Sequence, residues 1–167
     1  MAAETGDCSY LIILSGKSAI VVDRFSGDNM LQLSAPIGSV LPIHIGAAPK
    51  ILLAFLLEVQ RERILNEIKL SPFTPNTVTD KDEFRKILSD IRQQGFAEDE
   101  PDFEIGAYAF GAPVFDHEGN IVAGISITTP TARCSPKRRV ELIHLVCAAG
   151  QKLSMKLGYQ SNRISRS

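Results

Sequence analysis

The pattern of apolar and polar residues divides the chain into strands at its start, helices in its middle, and a hairpin and a helix at its end. Short apolar, β-branched runs occupy Tyr10–Leu14, Ala19–Phe25 and Met30–Ser34, and turn residues that include Gly16 and Gly27 separate them. Turn residues between short apolar runs indicate consecutive antiparallel strands. We therefore predict three strands over these ranges.

Helical periodicity follows in two stretches. The first begins near Pro49, is apolar on every side at its start, and becomes charged toward Glu67. Such a pattern predicts a helix that is buried where it begins and reaches solvent further on, and proline suits its first position. The second is the clearest amphipathic helix, with Asp80 or Thr79 as its cap and Gly95 as its stop. Its apolar residues are Phe84, Ile87, Leu88 and Ile91.

The last third of the chain predicts a hairpin and a final helix. Ala107–Phe115 and Ile121–Thr128 are strand-like, and the five residues between them include Gly119. Ser135 and Pro136 supply the N-cap and first position of the helix, and Gly158 supplies its end. Its apolar stripe is Leu142, Val146, Ala149, Leu153 and Leu157. Together these elements predict an α+β fold, an antiparallel sheet with helices packed around it.

Composition limits the class of protein. The chain has 167 residues, a net charge of −1, 44% hydrophobic residues and 22% charged residues, which is typical of one globular domain. No apolar run approaches the roughly 20 residues that cross a bilayer, and no signal peptide is visible. Three widely spaced cysteines do not predict disulfides. We expect a soluble, cytoplasmic domain.

Charge is unevenly distributed along the chain. Residues 131–167 contain eight basic residues and one acidic residue, Glu141. A basic end is compatible with nucleic-acid binding, but no aromatic residues alternate with these charges as strand-binding surfaces require. We interpret the basic end as the solvated face of a helix and a tail.

The usual catalytic and cofactor motifs are missing from the sequence. It has no glycine-rich phosphate loop, and Gly124–Thr128 lacks the second glycine of a nucleophile elbow. His44, His117 and His144 are isolated, which does not predict a metal site, and His44 is expected to be structural. Five carboxylates between residues 98 and 104 are expected to form a solvated acidic loop. We expect no cofactor, no metal and no enzymatic activity.

The hairpin predicts one unusually small sheet face. Side chains alternate along a strand, so Gly124, Ser126 and Thr128 share a face, as do Ala107 and Ala109 on the partner strand. Two readings remain open: a shallow basin for a small ligand oriented by hydroxyls, or close packing of a helix. A helix that begins near residue 48 presents free N–H groups, which favour an anion. The basin reading therefore predicts a small carboxylate.

Five segments in this order resemble the effector-binding domain of the IclR family of bacterial transcriptional regulators. The resemblance covers about Tyr10 to Tyr159. The segments are VVDRF at Val21–Phe25, LPIHIGAAPKILLAFL at Leu41–Leu56, IRQQGFAEDEPDFEIG at Ile91–Gly106, APVFDHEGNIVAGISITTP at Ala112–Pro130, and TARCSPKRRVELIHLVCAAGQKLSMKLGY at Thr131–Tyr159.

The resemblance implies a GAF-like antiparallel sheet whose pocket binds a small effector, usually an organic acid. Family members carry an N-terminal winged helix-turn-helix that binds operator DNA, and they assemble as dimers or tetramers. We expect a disordered or artificial segment at 1–9, an effector-binding domain at 10–159 and a tail at 160–167. We interpret the chain as a truncated regulator, with a stand-alone sensor as the alternative.

The resemblance also implies a ligand-binding set. The family's pocket amides fall at Ala47 and Ala48, its acidic pocket residue at Asp99, and its strand hydroxyls at Ser126 and Thr128. Two further pocket positions, which are often larger or polar in relatives, fall at Ala107 and Ala109.

The chain departs from the family pattern at three places. Pro49 replaces the glycine that usually precedes the lysine, Tyr108 and Ala109 replace a common Arg–Cys pair, and Thr128–Pro130 replaces Ser–Gly–Pro. Fewer polar anchors and smaller walls fit a bulkier or aromatic effector.

Three hypotheses for function remain. The first is a ligand sensor that changes the DNA affinity of an attached domain. The second is a small hydrolase or isomerase that uses Asp99 and Ser126, for which the sequence offers the serine no base. The third is a dimerisation module without a ligand.

Overall fold

A computed structural model of the chain describes residues 5–27, 35–100 and 106–161. Its described strands form one six-stranded antiparallel sheet in the order β3-β2-β1-β6-β5-β4. The strands are β1 Cys8–Ser15, β2 Ser18–Phe25, β3 Val40–Pro42, β4 Ala97–Asp99, β5 Ala107–Phe115 and β6 Ile121–Pro130. The helices are α1 Ala47–Phe55, α2 Glu58–Glu67, α3 Lys81–Gln94 and α4 Pro136–Lys156, with a short 3-10 turn at Thr131–Arg133. The predicted α+β class is confirmed.

Helices cover both faces of the sheet. On one face α1 packs on β5 and β6, and α3 packs against α1, so that Leu52, Leu53 and Phe84 join one apolar core. On the other face α4 packs on β5 and β6, with Leu142 and Val146 in a second core. The hairpin β5–β6 therefore lies between two helices, one on each side.

The predicted caps are confirmed. The Asp80 side chain accepts a hydrogen bond from Glu83 N at 2.8 Å, and Gly95 ends α3 with φ +88°. Ser135 caps α4 by accepting from Arg138 N at 3.2 Å, and Pro136 is its first residue. These motifs need only residues within one turn of each other, so the sequence alone determines them.

The predicted stripe of α4 is partly wrong. Leu142 and Val146 are buried, but Leu157 is 49% exposed, and Gly150 and Ser154 are buried instead. A Cβ at Gly150 would lie 2.7 Å from the Pro113 carbonyl oxygen, because α4 approaches β5 closely there. The absence of a side chain makes this contact possible.

The one helix predicted from Pro49 onward is wrong, because the chain breaks into α1 and α2. Leu56 has extended backbone geometry, with ψ 158°. The Arg92 guanidinium donates to the carbonyls of Ala54 and Leu56, at 3.0 and 3.1 Å. A side chain 36 residues away along the chain thus satisfies carbonyls at the end of α1.

Other differences concern strands and ends. The predicted strand Met30–Ser34 lies outside the described residues, as do residues 1–4 and 162–167. The short strands β3 and β4 were not predicted. Residues 5–9, expected in a disordered or artificial segment, are packed: Asp7 is 2% exposed, and β1 begins at Cys8.

The basic residues around the start of α4 are not simply a solvated face. Arg133 and Arg138 bind the Asp7 carboxylate at 3.3 and 3.2 Å, and Arg139 binds Glu98. Three of the basic residues therefore pair with carboxylates of the same chain. Among the described ranges, no helix is both long and apolar enough to cross a membrane.

Candidate ligand-binding site

The register of the sheet brings several predicted site residues into one row. Asp99 pairs with Ala109, Ala109 pairs with Thr128, and Thr128 pairs with Cys8. Directly paired residues of antiparallel strands place their side chains on the same face. Asp99, Ala109 and Thr128 therefore lie side by side across β4, β5 and β6.

A second row runs beside the first on the same face. Ala97 pairs with Gly111, Gly111 with Ser126, and Ser126 with Tyr10. Ser126 is two residues from Thr128, so both hydroxyls project from one face. Ala107 lies on this face at the start of β5, where it pairs with Pro130.

The start of α1 lies on this small-residue face. A Cβ at Gly111 would be 2.9 Å from the backbone carbon of Ala47, and one at Gly124 would be 2.8 Å from the carbonyl oxygen of Ala48. Packing of α1 thus accounts for the two glycines, because the helix backbone occupies the space of their missing side chains. It does not account for the small and polar side chains of the row that contains Ala109 and Thr128.

The N-cap residue of α1 is a glycine, which has no side chain of its own to cap the helix. Gly46 precedes the helix with φ +84°, a conformation that favours glycine. Pro49 has no N–H, so the first turn has fewer donors than usual. Ala47 and Ala48 keep theirs.

A buried ion pair stands at the β4 side of the same face. Lys50 of α1 binds Asp99, and each side chain is only 7% exposed. The expectation of a solvated acidic loop is therefore wrong for Asp99, which lies in β4; Asp102 and Glu104 are outside the described residues. The two side chains thus form an ion pair that is almost completely shielded from solvent.

Lys50 is the residue of this site that we did not identify from the sequence. Every residue from Ala47 to Ala54 is buried, and Lys50 is the only charged one among them. A lone charge in an apolar buried helix is a signal, because it requires a partner of opposite sign.

The two hydroxyls differ from a structural hydroxyl close by. Ser126 is 4% exposed and Thr128 is partly exposed, and neither side chain has a hydrogen-bond partner in the described part of the chain. The neighbouring Thr129, by contrast, is fully buried and donates to Asp7 Oδ1 at 3.1 Å. Ser126 and Thr128 thus remain able to bind another molecule.

Among the residues that the structure describes, no hydrogen bond joins Ser126 to a histidine. His44 donates from Nε2 to the Ser71 carbonyl at 3.0 Å, which confirms its structural role. His117 lies in the β5–β6 turn, and His144 is exposed on α4, on the other face of the sheet. Within the described ranges, no group of His, Cys, Asp and Glu side chains is arranged to hold a metal ion.

Two of the three cysteines lie away from this face, whereas Cys8 pairs with Thr128 on it. Burial raises the pKa of the Cys134 thiol and of the Cys147 thiol, which reduces their reactive thiolate form. Both belong to the α4 side of the sheet.

A separate groove of about 340 Å³ lies at the β2–β3 side of the molecule. Lys17, His44, Glu67 and Phe73 are among its lining residues. Lys17 pairs with Glu67 at 3.3 Å, so the charges of this groove partly cancel. It contains none of the predicted site residues.

Comparison with known proteins finds one family. The model of the bacterial transcriptional regulator IclR C-terminal domain matches residues 1–155. Among curated proteins, the chain is 30% identical over 159 residues to the HTH-type transcriptional regulator XynR of Escherichia coli, covering 95% of the chain and 63% of that protein. It is also 30% identical to the HTH-type transcriptional repressor AllR of the same species, covering 95% and 58%. The chain therefore spans about three fifths of these relatives.

Solved structures agree with the sequence comparison. The crystal structure of the Thermotoga maritima IclR protein superposes with a TM-score of 0.89 at 31% identity, covering 93% of this chain and 63% of that one. The C-terminal domain of the E. coli regulator KdgR gives a TM-score of 0.85 at 28% identity, covering 95% and 92%.

Proposed function

The chain belongs to the IclR C-terminal family of bacterial transcriptional regulators, and we propose that it binds a small organic acid without consuming it. The binding event changes the DNA affinity of an attached winged helix-turn-helix domain. A coupling of about 1–3 kcal/mol is typical of such linkage, so a modest rearrangement of the sheet is sufficient. The expected location is the cytoplasm, where operator DNA is accessible.

One observation supports the binding site most directly. Two hydroxyls without a described partner, Ser126 and Thr128, project from the sheet face that the start of α1 covers. In our proposal the N–H groups of Ala47 and Ala48 bind the ligand carboxylate, which the helix N-terminus favours. The hydroxyls bind its polar end.

The two alanines of β5 determine how much room the ligand has. Ala109 pairs with Thr128, and Ala107 lies two residues away on the same face. Side chains of one carbon leave space beside the hydroxyls. We propose that this space admits a bulkier or aromatic acid.

The Lys50–Asp99 pair alters the expected role of Asp99. A bare carboxylate at this place repels an acidic ligand, whereas a carboxylate neutralised by an ammonium group does so much less. In our proposal Asp99 accepts a hydrogen bond from a hydroxyl or amine of the ligand.

A thermal-shift screen of small carboxylic and aromatic acids tests the proposal. Ligand at a hundred times its Kd stabilises a fold by ~2.7 kcal/mol, or about 5–10 °C for a chain of this size. We expect at least one acid to give such a shift with the wild type. A Ser15→Ala variant, changed at an exposed strand end, serves as the control.

Two other outcomes have clear meanings. If no acid in a broad screen shifts the melting temperature, the sensor proposal is wrong and a ligand-free dimerisation module is favoured. If a product forms from the bound acid, the enzyme hypothesis replaces it.

We further propose that DNA binding requires the domain that relatives carry beyond this region. The described elements hold no helix-turn-helix, and three basic residues near the start of α4 pair within the chain. We expect only weak, salt-dependent DNA contacts from this chain. A gel shift that is selective for sequence at physiological salt would contradict this.

Self-association is the last part of the proposal. A symmetric operator site binds two DNA-binding domains, and a two-fold dimer is the simplest arrangement that provides them. We expect sedimentation to give a dimer or tetramer at micromolar concentration. An 18.2 kDa monomer would assign the dimer contact to the other domain.

A further inference from the structure

We propose that the Glu98–Arg139 ion pair is a regulatory connection, which conveys the occupancy of the α1 side of the sheet to the first turn of α4 and to residues 5–7. This inference rests on the proposed function and adds a route by which a bound acid acts on the rest of the domain. The route consists of two pairs of adjacent residues, one in β4 and one in α4.

Two consecutive residues of β4 face opposite sides of the sheet. Asp99 pairs with Ala109, so it lies on the α1 side, in the row that contains Thr128. Glu98 pairs with Phe110, whose ring belongs to the apolar core under α4. Because side chains alternate along a strand, a shift of β4 at Asp99 moves Glu98 on the other side as well.

The position of β4 in the sheet makes it the strand of the site that moves most easily. It has three residues, lies at the edge of the six-stranded order, and is bonded to β5 as its one described neighbour. In contrast, β5 and β6 are bonded on both sides and lie between α1 and α4. Local opening is easiest where few backbone hydrogen bonds hold a segment. In our proposal a ligand beside Asp99 therefore displaces β4 before it displaces the centre of the sheet.

The contact between Glu98 and α4 has a defined geometry. The Arg139 guanidinium donates from Nη2 to Glu98 Oε2 at 2.7 Å, and its Nε contacts Glu98 Oε1. A guanidinium that meets a carboxylate with two nitrogen atoms fixes the relative orientation of both groups, whereas apolar contacts have no preferred direction. The ion pair therefore transmits a shift of β4 to α4 more directly than the apolar core does.

The neighbouring residue on α4 holds the first described residues of the chain. Arg138 donates to Asp7 Oδ2 at 3.2 Å and to the Thr5 carbonyl at 3.1 Å. The Ser135 side chain caps this turn by accepting from Arg138 N, and the Ser135 carbonyl accepts from Arg139 N at 2.9 Å. The two arginines therefore lie in one hydrogen-bonded turn, and a displacement of Arg139 carries its neighbour and residues 5–7 with it.

The ion pair contributes little to folding, so its removal can be tested in folded variants. The Arg139 side chain is 51% exposed and the Glu98 side chain is 16% exposed. Ion pairs with an exposed partner add little stability, because water screens them. Glu98→Gln and Arg139→Gln should therefore fold and melt within about 4 °C of the wild type.

Amide hydrogen exchange with and without a bound acid tests the connection. The acid is the one among acetate, pyruvate and benzoate that stabilises the wild type most in a thermal-shift assay. Exchange at residues 7–9 and at Arg139 is measured relative to the Val21 amide on β2, which donates to the Ser39 carbonyl. This reference removes the global stabilisation that a ligand gives. In the wild type we expect the acid to change the relative exchange rates by about fivefold or more, the lower end of typical coupling.

The variants should bind the acid and lose this response. Glu98→Gln and Arg139→Gln alter the α4 side, so the Kd for the acid should stay close to that of the wild type, while the relative exchange at residues 7–9 no longer changes. If either single variant fails to fold, the double variant E98Q/R139Q, which leaves neither charge unpaired, replaces it. As the matched control, Arg85→Gln breaks an ion pair with Glu62 at 3.0 Å between α3 and α2 and should keep the full response.

The opposing outcomes separate this inference from the proposed function. If the acid binds but leaves the relative exchange at residues 7–9 of the wild type unchanged, the inference is wrong and the proposed function stands. The same holds if Glu98→Gln and Arg139→Gln respond as strongly as the wild type. If no acid of a broad screen stabilises the wild type, the proposed function fails and this inference fails with it.

Discussion

The two faces of the β5–β6 hairpin are built from alternate residues of the same strands, yet they differ in size and polarity. On the α4 face, Phe110, Ile125 and Ile127 pack with Leu142 and Val146 into a fully apolar core. On the α1 face, Ala109, Gly111, Gly124, Ser126 and Thr128 are all small, and the Lys50–Asp99 ion pair lies at the β4 side of this face.

From this difference we infer separate roles for the two faces of the hairpin. Large side chains fill the space under α4 and supply stability through burial. Under α1, the two glycines Gly111 and Gly124 allow close approach of the helix backbone. The hydroxyls of Ser126 and Thr128 on the same face have no described partner. The α4 face should therefore govern stability, and the α1 face should govern binding.

The largest expected effect comes from the α4 face. Phe110→Ala removes a fully buried ring next to Leu142 and leaves a cavity, so the free energy of unfolding should fall by about 3–5 kcal/mol. Urea denaturation measures this. The Kd for a bound acid should not change, and a parallel loss of affinity would show that the two faces are not independent.

A matched pair of glycines gives the next effect. Gly124→Ala places a Cβ 2.8 Å from the Ala48 carbonyl on the α1 face, and Gly150→Ala places one 2.7 Å from the Pro113 carbonyl on the α4 side. Each contact is too short and forces a helix outward, at a cost of about 1–3 kcal/mol.

Binding should separate these two variants. Only Gly124→Ala displaces the start of α1. Only this variant should therefore also bind the acid with lower affinity, which calorimetry would detect. Equal losses of affinity in both variants would remove α1 from the site.

The smallest effect is the most specific. Ser126→Ala removes a hydroxyl with no described partner, so the fold should keep its stability. Binding of the acid should weaken by about 0.5–1.5 kcal/mol, the net contribution of a neutral hydrogen bond. Ser154→Ala removes the hydroxyl that accepts a hydrogen bond from Phe115 N at 2.9 Å on the α4 side. This variant should lower the stability of the fold and leave the affinity for the acid unchanged.

Local features of the fold could be predicted from the sequence. The hairpin, its alternation of faces and the capped helix α3 depend on residues close together in the chain, and all are present. The shared face of Asp99, Ala109, Ser126 and Thr128 is present as well. That the face binds a ligand stays a prediction.

Features that depend on distant partners could not be predicted. The break after α1 is stabilised by Arg92, and the burial of Asp99 depends on Lys50, 49 residues earlier. From the sequence, the basic residues at the start of α4 are expected to be solvated, because Asp7, with which Arg133 and Arg138 pair, is distant along the chain. In each case a charged side chain had no visible partner in its own segment.

The two consecutive threonines at the end of β6 give the sheet a mechanical property. Thr128 projects from the α1 face, whereas Thr129 projects from the opposite face and donates to Asp7, which also pairs with Arg133 and Arg138. Their Cα atoms are only about 3.8 Å apart, and the backbone between them is stiff. A displacement of one threonine therefore moves the other, and with it the point at which residues 5–7 are fastened. The position of Asp7 on one side of the sheet is thus coupled through two adjacent residues to the position of Thr128 on the other side.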